Sequence, residues 1–228
     1  MLQQEKRRYL LAFGILGVLL LVLLILNLRI GSVKVPMDEL WPILRGHSRE
    51  NTAGQIIWTI RMPRMIAAAV LGGALAVAGF LLQTFFSNPI AGPFVLGISS
   101  GAKLTVAIAM ILSLKVGLNL SSGMMIVAAF VGAGLSMGLI LAISGKVGRM
   151  SVLVVCGVMI SYICSAVTDF VVTFADDSNI VNLHNWSLGS FSGISWEQVQ
   201  VMSGLVAATV LLVFAMSKQI GAYQLGEN

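Results

Sequence analysis

Long apolar runs alternate with short polar connections along the whole chain. The runs cover Tyr9 to Leu28, Met65 to Phe86, Phe94 to Leu114, Gly123 to Ser144, Val152 to Ala175 and Val199 to Ser217. Each lies near the roughly 20 residues a helix needs to cross a hydrocarbon core. None has the period-two alternation of a barrel strand, and all run well past the length of one. The pattern predicts an all-α, polytopic membrane helix bundle with about six transmembrane helices, in a single transmembrane domain over residues 1–228. The first run follows Lys6, Arg7 and Arg8 and has no small-x-small cleavage site before Arg29, which predicts a retained anchor rather than a signal peptide. The longest polar stretch, Arg29 to Thr59, carries Pro36, Pro42 and the turn-like Arg45-Gly46-His47-Ser48, and reads as an extramembrane loop with one short helix. Asn179 to Gly193 is too polar and too short to span; it reads as an outer half-helix and turn, or as a plain loop with Trp186 anchored at the interface.

Composition sharpens the solvent assignment. Hydrophobic residues make up 57% of the chain and charged residues 10%, against about 25% charged in soluble domains. That excludes an ordinary soluble domain and leaves no room for a soluble catalytic one. The net charge of +5 is scattered. It lacks the basic, aromatic patterning of a nucleic-acid binder and serves instead to orient the chain. With the amino terminus in the cytoplasm, Lys6, Arg7, Arg8, Lys146, Arg149 and Lys218 lie inside, while Lys115, Asp176 and Asp177 lie outside, in keeping with the excess of basic residues in cytoplasmic loops. The first outer loop runs against that trend, because Arg29, Lys34, Arg45, Arg49, Arg61 and Arg64 outnumber Asp38, Glu39 and Glu50. An acidic partner would account for it.

Candidate chemistry is sparse. Cys156 and Cys164 sit about 12 Å apart along one helix, too far to form a disulfide with each other. His47 and His184 have no neighbours at metal-ligand spacing, so no metal and no cofactor are expected. Gly138 through Gly145-Lys146-Val147 lacks the glycine spacing and the hydroxyl of a phosphate loop, so ATP must be hydrolysed by another chain. No nucleophile elbow, paired carboxylates or HExxH is present, which argues against an enzyme. Ala68, Gly72 and Ala76, then Ala128, Gly132 and Ser136, with Gly134 and Gly138 on an adjacent face, let helix backbones approach closely. The simplest use of such stripes is packing within the chain. Ser161, Ser165 and Asp169 recur at four-residue spacing with Thr173 one step on, along one face of the fifth span. Hydroxyls alone would be satisfied by the backbone, but an added acid points to a wetted pathway. Lys103, nearer the opposite end of its span, is a poor partner for Asp169.

One run of text is more specific. Arg61-Met62-Pro63-Arg64 leads into Gly72-Gly73-Ala74-Leu75-Ala76-Val77-Ala78-Gly79 and Gln83. Asn88-Pro89-Ile90-Ala91-Gly92-Pro93 and Leu96-Gly97-Ile98-Ser99-Ser100-Gly101-Ala102 follow. Later come Cys156-Gly157-Val158, Trp186-Ser187-Leu188-Gly189-Ser190 with Ser195-Trp196, and Gln224-Leu225-Gly226-Glu227. This resembles the FecCD family, the permease subunits of iron–siderophore and vitamin B12 ABC importers. The family has about ten spans, so this chain is expected to correspond to its amino-terminal two-thirds, truncated after the sixth span.

The resemblance implies a multi-pass subunit of the bacterial cytoplasmic membrane that translocates an iron chelate of the siderophore class, with haem or cobalamin as alternative cargo. Its implied partners are a second permease subunit, in a homo- or heterodimer, a cytoplasmic ATPase dimer and an extracytoplasmic solute-binding protein, with membrane lipid around them. Arg61 and Arg64 would dock carboxylates of the binding protein, a task suited to guanidinium; on residue chemistry alone they could equally be interfacial anchors. Asn88 and Ile90, with Met150 and Ser151, would form a cytoplasmic gate, although Pro89 is already explained as a helix-ending turn. Ser161, Ser165 and Asp169 would line the translocation pathway. Leu225, Gly226 and Glu227 would couple to the ATPase. Competing readings are a secondary transporter or channel, which would need more ion-coupling acids and inverted repeats, and a truncated fragment that transports nothing.

Overall fold

The computed structural model describes residues 2–31, 33–47, 51–94, 96–115, 117, 120–147, 150–175 and 177–225. Among the described residues every regular element is a helix. In chain order they are α1 (Leu2–Arg29), α2 (Met37–Leu44), α3 (Thr52–Gln55), a π-helical segment (Ile56–Arg61), α4 (Met62–Phe86), α5 (Ile98–Lys115), α6 (Ser122–Ser144), α7 (Met150–Val172), α8 (Asp177–Leu188), α9 (Trp196–Ala215) and α10 (Ser217–Leu225). Five helical stretches are long and apolar enough to cross a membrane, and Ile98–Ser113 is a shorter apolar helix. The six apolar runs therefore all become helices.

Three boundaries move, each for a local reason. The second run does not begin at Met65: helix is continuous from Thr52 to Phe86, 35 residues. Arg61, Pro63 and Arg64 interrupt the hydropathy without interrupting the backbone. Proline fits helical φ but offers no N–H, and the π-helical turn just before it changes the pairing so that the Met62 N–H reaches the Ile57 carbonyl. In that register the Trp58 carbonyl would face Pro63, and the indole Nε1 of Trp196 donates to it at 2.7 Å. The third run starts helical pairing at Ile98 rather than Phe94, because Pro93 and a left-handed Gly97 (φ 73°) shape a turn first. The fifth ends at Val172 and passes through a turn into α8, which realises the expected half-helix.

The chain falls into two compact units, residues 1–73 with 191–209 and residues 74–190 with 210–228. The first has a core of Leu28, Val35, Leu40, Ile43 and Ile57. The second has two clusters, one of Phe86, Ala91, Leu96, Ile140 and Leu153 and one of Val106, Ala107 and Leu183. Within the second unit α5 crosses α6 closely. A Cβ on Gly101 would lie 2.7 Å from the Gly132 carbonyl and run into Ser136 Oγ, and one on Gly132 would meet Thr105 Oγ1. The Thr105 hydroxyl donates across the crossing to the Ala128 carbonyl at 2.7 Å. The Ala128, Gly132 and Ser136 stripe is thus an intrachain seam, whereas Gly134 and Gly138 face open space.

Candidate functional site

The two arginines of the Arg-Met-Pro-Arg text belong to the first unit but occupy unlike settings. Arg61, the last residue of the π-helical segment, is 7% exposed. Its Nη1 donates to the Leu28 carbonyl in the last turn of α1, and its Nη2 to the Val33 carbonyl in the following loop. Open carbonyls at a helix C-terminus attract cations, so this guanidinium caps α1 and braces the loop at once. Gly31 lets it in: a Cβ there would lie 2.6 Å from Arg61 Nη2. Arg64, one turn further on, is half-buried, and its Nη2 donates to the Ser192 hydroxyl at 3.2 Å.

Tryptophans fix this end of the molecule. Trp58 Nε1 donates to the Ile43 carbonyl at the end of α2 at 3.1 Å. The Trp58 and Trp196 rings lie 6.3 Å apart and tilted by 32°. At the start of α9 the Ser195 N–H donates to Gln198 Oε1 while the Gln198 N–H donates to Ser195 Oγ, a reciprocal cap that fixes where Trp196 enters.

The gate candidates belong to the second unit. Helix α4 ends on Ser87 in a left-handed conformation (φ 47°). Asn88 Oδ1 accepts from the Ile90 N–H at 3.0 Å and the Asn88 carbonyl from the Ala91 N–H at 3.1 Å. Asn88 and Ile90 therefore share one closed turn, with the Ile90 side chain 75% exposed. Ser151, also exposed, lies in the first turn of α7 after Met150. Ala91 and Leu153 meet in one apolar cluster, which brings the two candidate gate segments to the same core.

On α7 the expected polar face is divided. Ser161 is half-buried; its hydroxyl returns to the Gly157 carbonyl at 3.1 Å, and the turn at Gly97 packs against the Gly157–Ser161 backbone. Ser165 and Asp169 are exposed, and Thr173 Oγ1 donates to the Asp169 carbonyl. Thr168, absent from the sequence reading, is the buried polar residue of the helix, 1% exposed and bonded to the Cys164 carbonyl. Leu225 closes α10, and Gly226 and Glu227 lie outside the described residues, as do Arg49, Glu50, Arg149 and Asp176. Gly31, Trp58, Thr105 and Tyr223 were not marked by the sequence. Only Trp196 carried a signal, as part of a motif.

Comparison with known proteins follows the same lines. The chain is 32% identical over 221 residues to the hemin transport system permease protein HmuU of Yersinia pestis, covering 96% of this chain and 64% of that one. It is 33% identical over 225 residues to the vitamin B12 import system permease protein BtuC of Klebsiella pneumoniae, covering 99% and 63%. The chain thus spans somewhat under two-thirds of the length of these curated relatives. A metal-chelate type ABC transporter solved in an inward-facing conformation shares the fold, with a TM-score of 0.75 at 22% identity, covering 93% of this chain and 64% of that chain. The model of the FecCD transport family matches residues 19–228, and the chain belongs to that family.

Proposed function

We infer that this chain is a transmembrane permease subunit of a binding-protein-dependent ABC importer and that its cargo is an iron chelate of the siderophore class. It acts as one permease domain in the bacterial cytoplasmic membrane, multi-pass and with a cytoplasmic amino terminus. It pairs with a second permease subunit, is driven by a cytoplasmic ATPase dimer and receives cargo from an extracytoplasmic solute-binding protein. The chain itself makes and breaks no bonds. Family membership and the names of its relatives support the transporter class; those names, hemin and vitamin B12, also make haem and cobalamin the alternative cargoes.

The observation that carries the reading is the arginine end of the first unit. A guanidinium has five N–H donors. Arg64 gives one to a neutral hydroxyl and keeps others for an incoming carboxylate, at a solvent-reachable position. Arg61 sets the loop beneath the docking surface and adds positive charge to it. Asn88, Ile90, Met150 and Ser151 form the cytoplasmic gate, Ser161, Ser165 and Asp169 line the route, and Leu225, Gly226 and Glu227 couple to the ATPase. Movement between states follows from differential affinity of the partners for each.

The test is binding of the purified solute-binding protein to the full-length permease complex. Arg64→Glu is expected to weaken it by about 2–5 kcal/mol, roughly 30-fold to several thousand-fold. Arg61→Glu should weaken it as well, through lost charge and a released loop. Unchanged affinity in both variants would leave the arginines as structural anchors and remove the reading. Stabilisation of the binding protein by hemin or cobalamin, and not by a ferric siderophore, would reassign the cargo.

A further inference from the structure

Helix α2 is held at the level where α1 runs out of apolar residues. Leu28 is the last of them before Arg29, and α2 buries Leu40 and Ile43 in the core that contains Leu28. Hydrogen bonds keep it there: the Val35 N–H donates to the Arg29 carbonyl at 3.3 Å, Trp58 Nε1 donates to the Ile43 carbonyl at 3.1 Å, and Arg61 bridges the Leu28 and Val33 carbonyls. Successive helical residues are turned by about 100°. With Leu40 and Ile43 facing the core, Met37 and Trp41 therefore share one flank of α2, and Glu39 falls on the other, about 160° from Trp41. Trp41 is 61% exposed and Met37 51%, and Ile30 and Val33 just before α2 are exposed too. The Arg45 guanidinium lies over the Trp41 ring, 5.3 Å from its centroid, which places its charge beside the same flank.

We propose that α2 is an in-plane lipid anchor: Met37 and Trp41 enter the headgroup–acyl boundary of the leaflet at which α1 ends, and Arg45 meets the phosphate of an anionic lipid there. Continuity and charge identify the occupant. The apolar stretch of α1 is long enough to span and none of it lies inside the chain, so the lipid that meets α1 continues beneath the flank of α2 packed on its last turn. An indole suits that layer, with an apolar ring and one polar N–H. A guanidinium on a long stem reaches phosphate from it and can bind two oxygens at once. Glu39, on the opposite flank, is left to water, and Asp38 shares with it the first helical turn, where the open N–H groups favour an acid. Through Trp58 and Arg61 the anchor sets the height of the arginine end above the bilayer. The proposal goes beyond the permease reading; only the naming of the leaflet as the outer one rests on that reading.

The experiment places the full-length permease complex in nanodiscs, with Cys156, Cys164 and any other native cysteine of the permease changed to serine. An environment-sensitive dye is attached at Met37→Cys or at Glu39→Cys. The probes are phosphatidylcholine and phosphatidylglycerol, each carrying a nitroxide high on the acyl chain. Quenching at position 37 is expected to exceed that at 39 by about 2-fold or more. Phosphatidylglycerol should quench position 37 more than phosphatidylcholine does, and Arg45→Gln should lower that preference by about 2- to 5-fold while Arg45→Lys, which keeps the charge, retains it. Equal quenching at the two positions, or none at either, overturns the anchor. Loss of quenching at position 37 when purified solute-binding protein is added assigns the flank to that partner and overturns it as well. An unchanged preference in Arg45→Gln overturns the phosphate contact. Neither transport nor ATP hydrolysis enters the readout, so its failure leaves the permease reading standing, and failure of the binding assay for Arg61 and Arg64 leaves the anchor standing.

Discussion

An indole N–H stands where a backbone amide is missing in the second long helix. Pro63 cannot donate to the Trp58 carbonyl, and Trp196 Nε1 does so from 138 residues away. Net, such a bond is worth about 0.5–1.5 kcal/mol, so Trp196→Phe, which keeps most of the ring and removes the donor, is expected to lower stability by that amount in a detergent unfolding titration. In a Pro63→Ala background the same substitution should cost less, because residue 63 then supplies its own N–H; an equal cost in both backgrounds would sever the link between the proline and the indole. Arg61 acts on the same principle from the opposite side, carrying donors to the Leu28 carbonyl in the last turn of α1 and to the Val33 carbonyl in the loop that follows. Neither role could be read from the sequence. A basic residue and a tryptophan beside a membrane look like anchors in a linear text, and their backbone partners, Leu28, Val33 and Trp58, are defined only by the fold. Gly31 is less legible still, since its use is the space it leaves for Arg61.

Helices were the most legible elements because hydropathy over 20 residues is a long signal. The seam between α5 and α6 was half legible. The spacing of Ala128, Gly132 and Ser136 announced a close approach, but its partner, Gly101 with Thr105, emerged only with the crossing. A Cβ on Gly132 meets backbone as well as a side chain, so Gly132→Ala is expected to cost about 1–3 kcal/mol by overpacking, read as a lower midpoint of detergent unfolding. Gly138→Ala, in open space on the same helix, should leave the midpoint within about 0.5 kcal/mol of the parent. Equal effects at the two positions would dissolve the seam. The π-helical segment was invisible from sequence. Hydropathy registers Arg61 and Arg64 as an end, whereas the backbone registers only whether each amide finds a carbonyl.

For the molecule as a whole, the revealing quantity is how little the long helices bury: none of the apolar stretch of α1 and 17% in α6 and in α7 lies inside the chain. Exposed surface of that extent is untenable in water and costs little in lipid or beneath neighbouring chains. On α7 the exposed surface is mixed: Ser165 and Asp169 are uncovered together with the aromatic rings of Tyr162 and Phe170. Single cysteines in a background free of Cys156 and Cys164 separate wet from greasy. Ser165→Cys and Asp169→Cys should react quickly with a small polar thiol reagent in the assembled complex, and Thr168→Cys, in the buried position, slowly. Under the proposed orientation, an impermeant reagent added outside intact cells should spare Lys146→Cys and Lys218→Cys and label Ser192→Cys; labelling at 146 from outside would invert the topology. The sequence marked these residues by spacing and charge. That a hydroxyl can turn back on its own helix was legible, as Ser161 does toward Gly157; that the Gly97 turn packs against the same stretch was not.

The indole that serves Trp58 also imposes a schedule. A growing chain lengthens by about 5–20 residues per second, so the 138 residues between the two tryptophans take roughly 7–30 s to add. Throughout that interval the Trp58 carbonyl is without the indole that meets it in the folded chain. The hydrogen bond that joins α9 to the Trp58 carbonyl can therefore form only after all the residues between them have been added, so it is among the late contacts of the first unit.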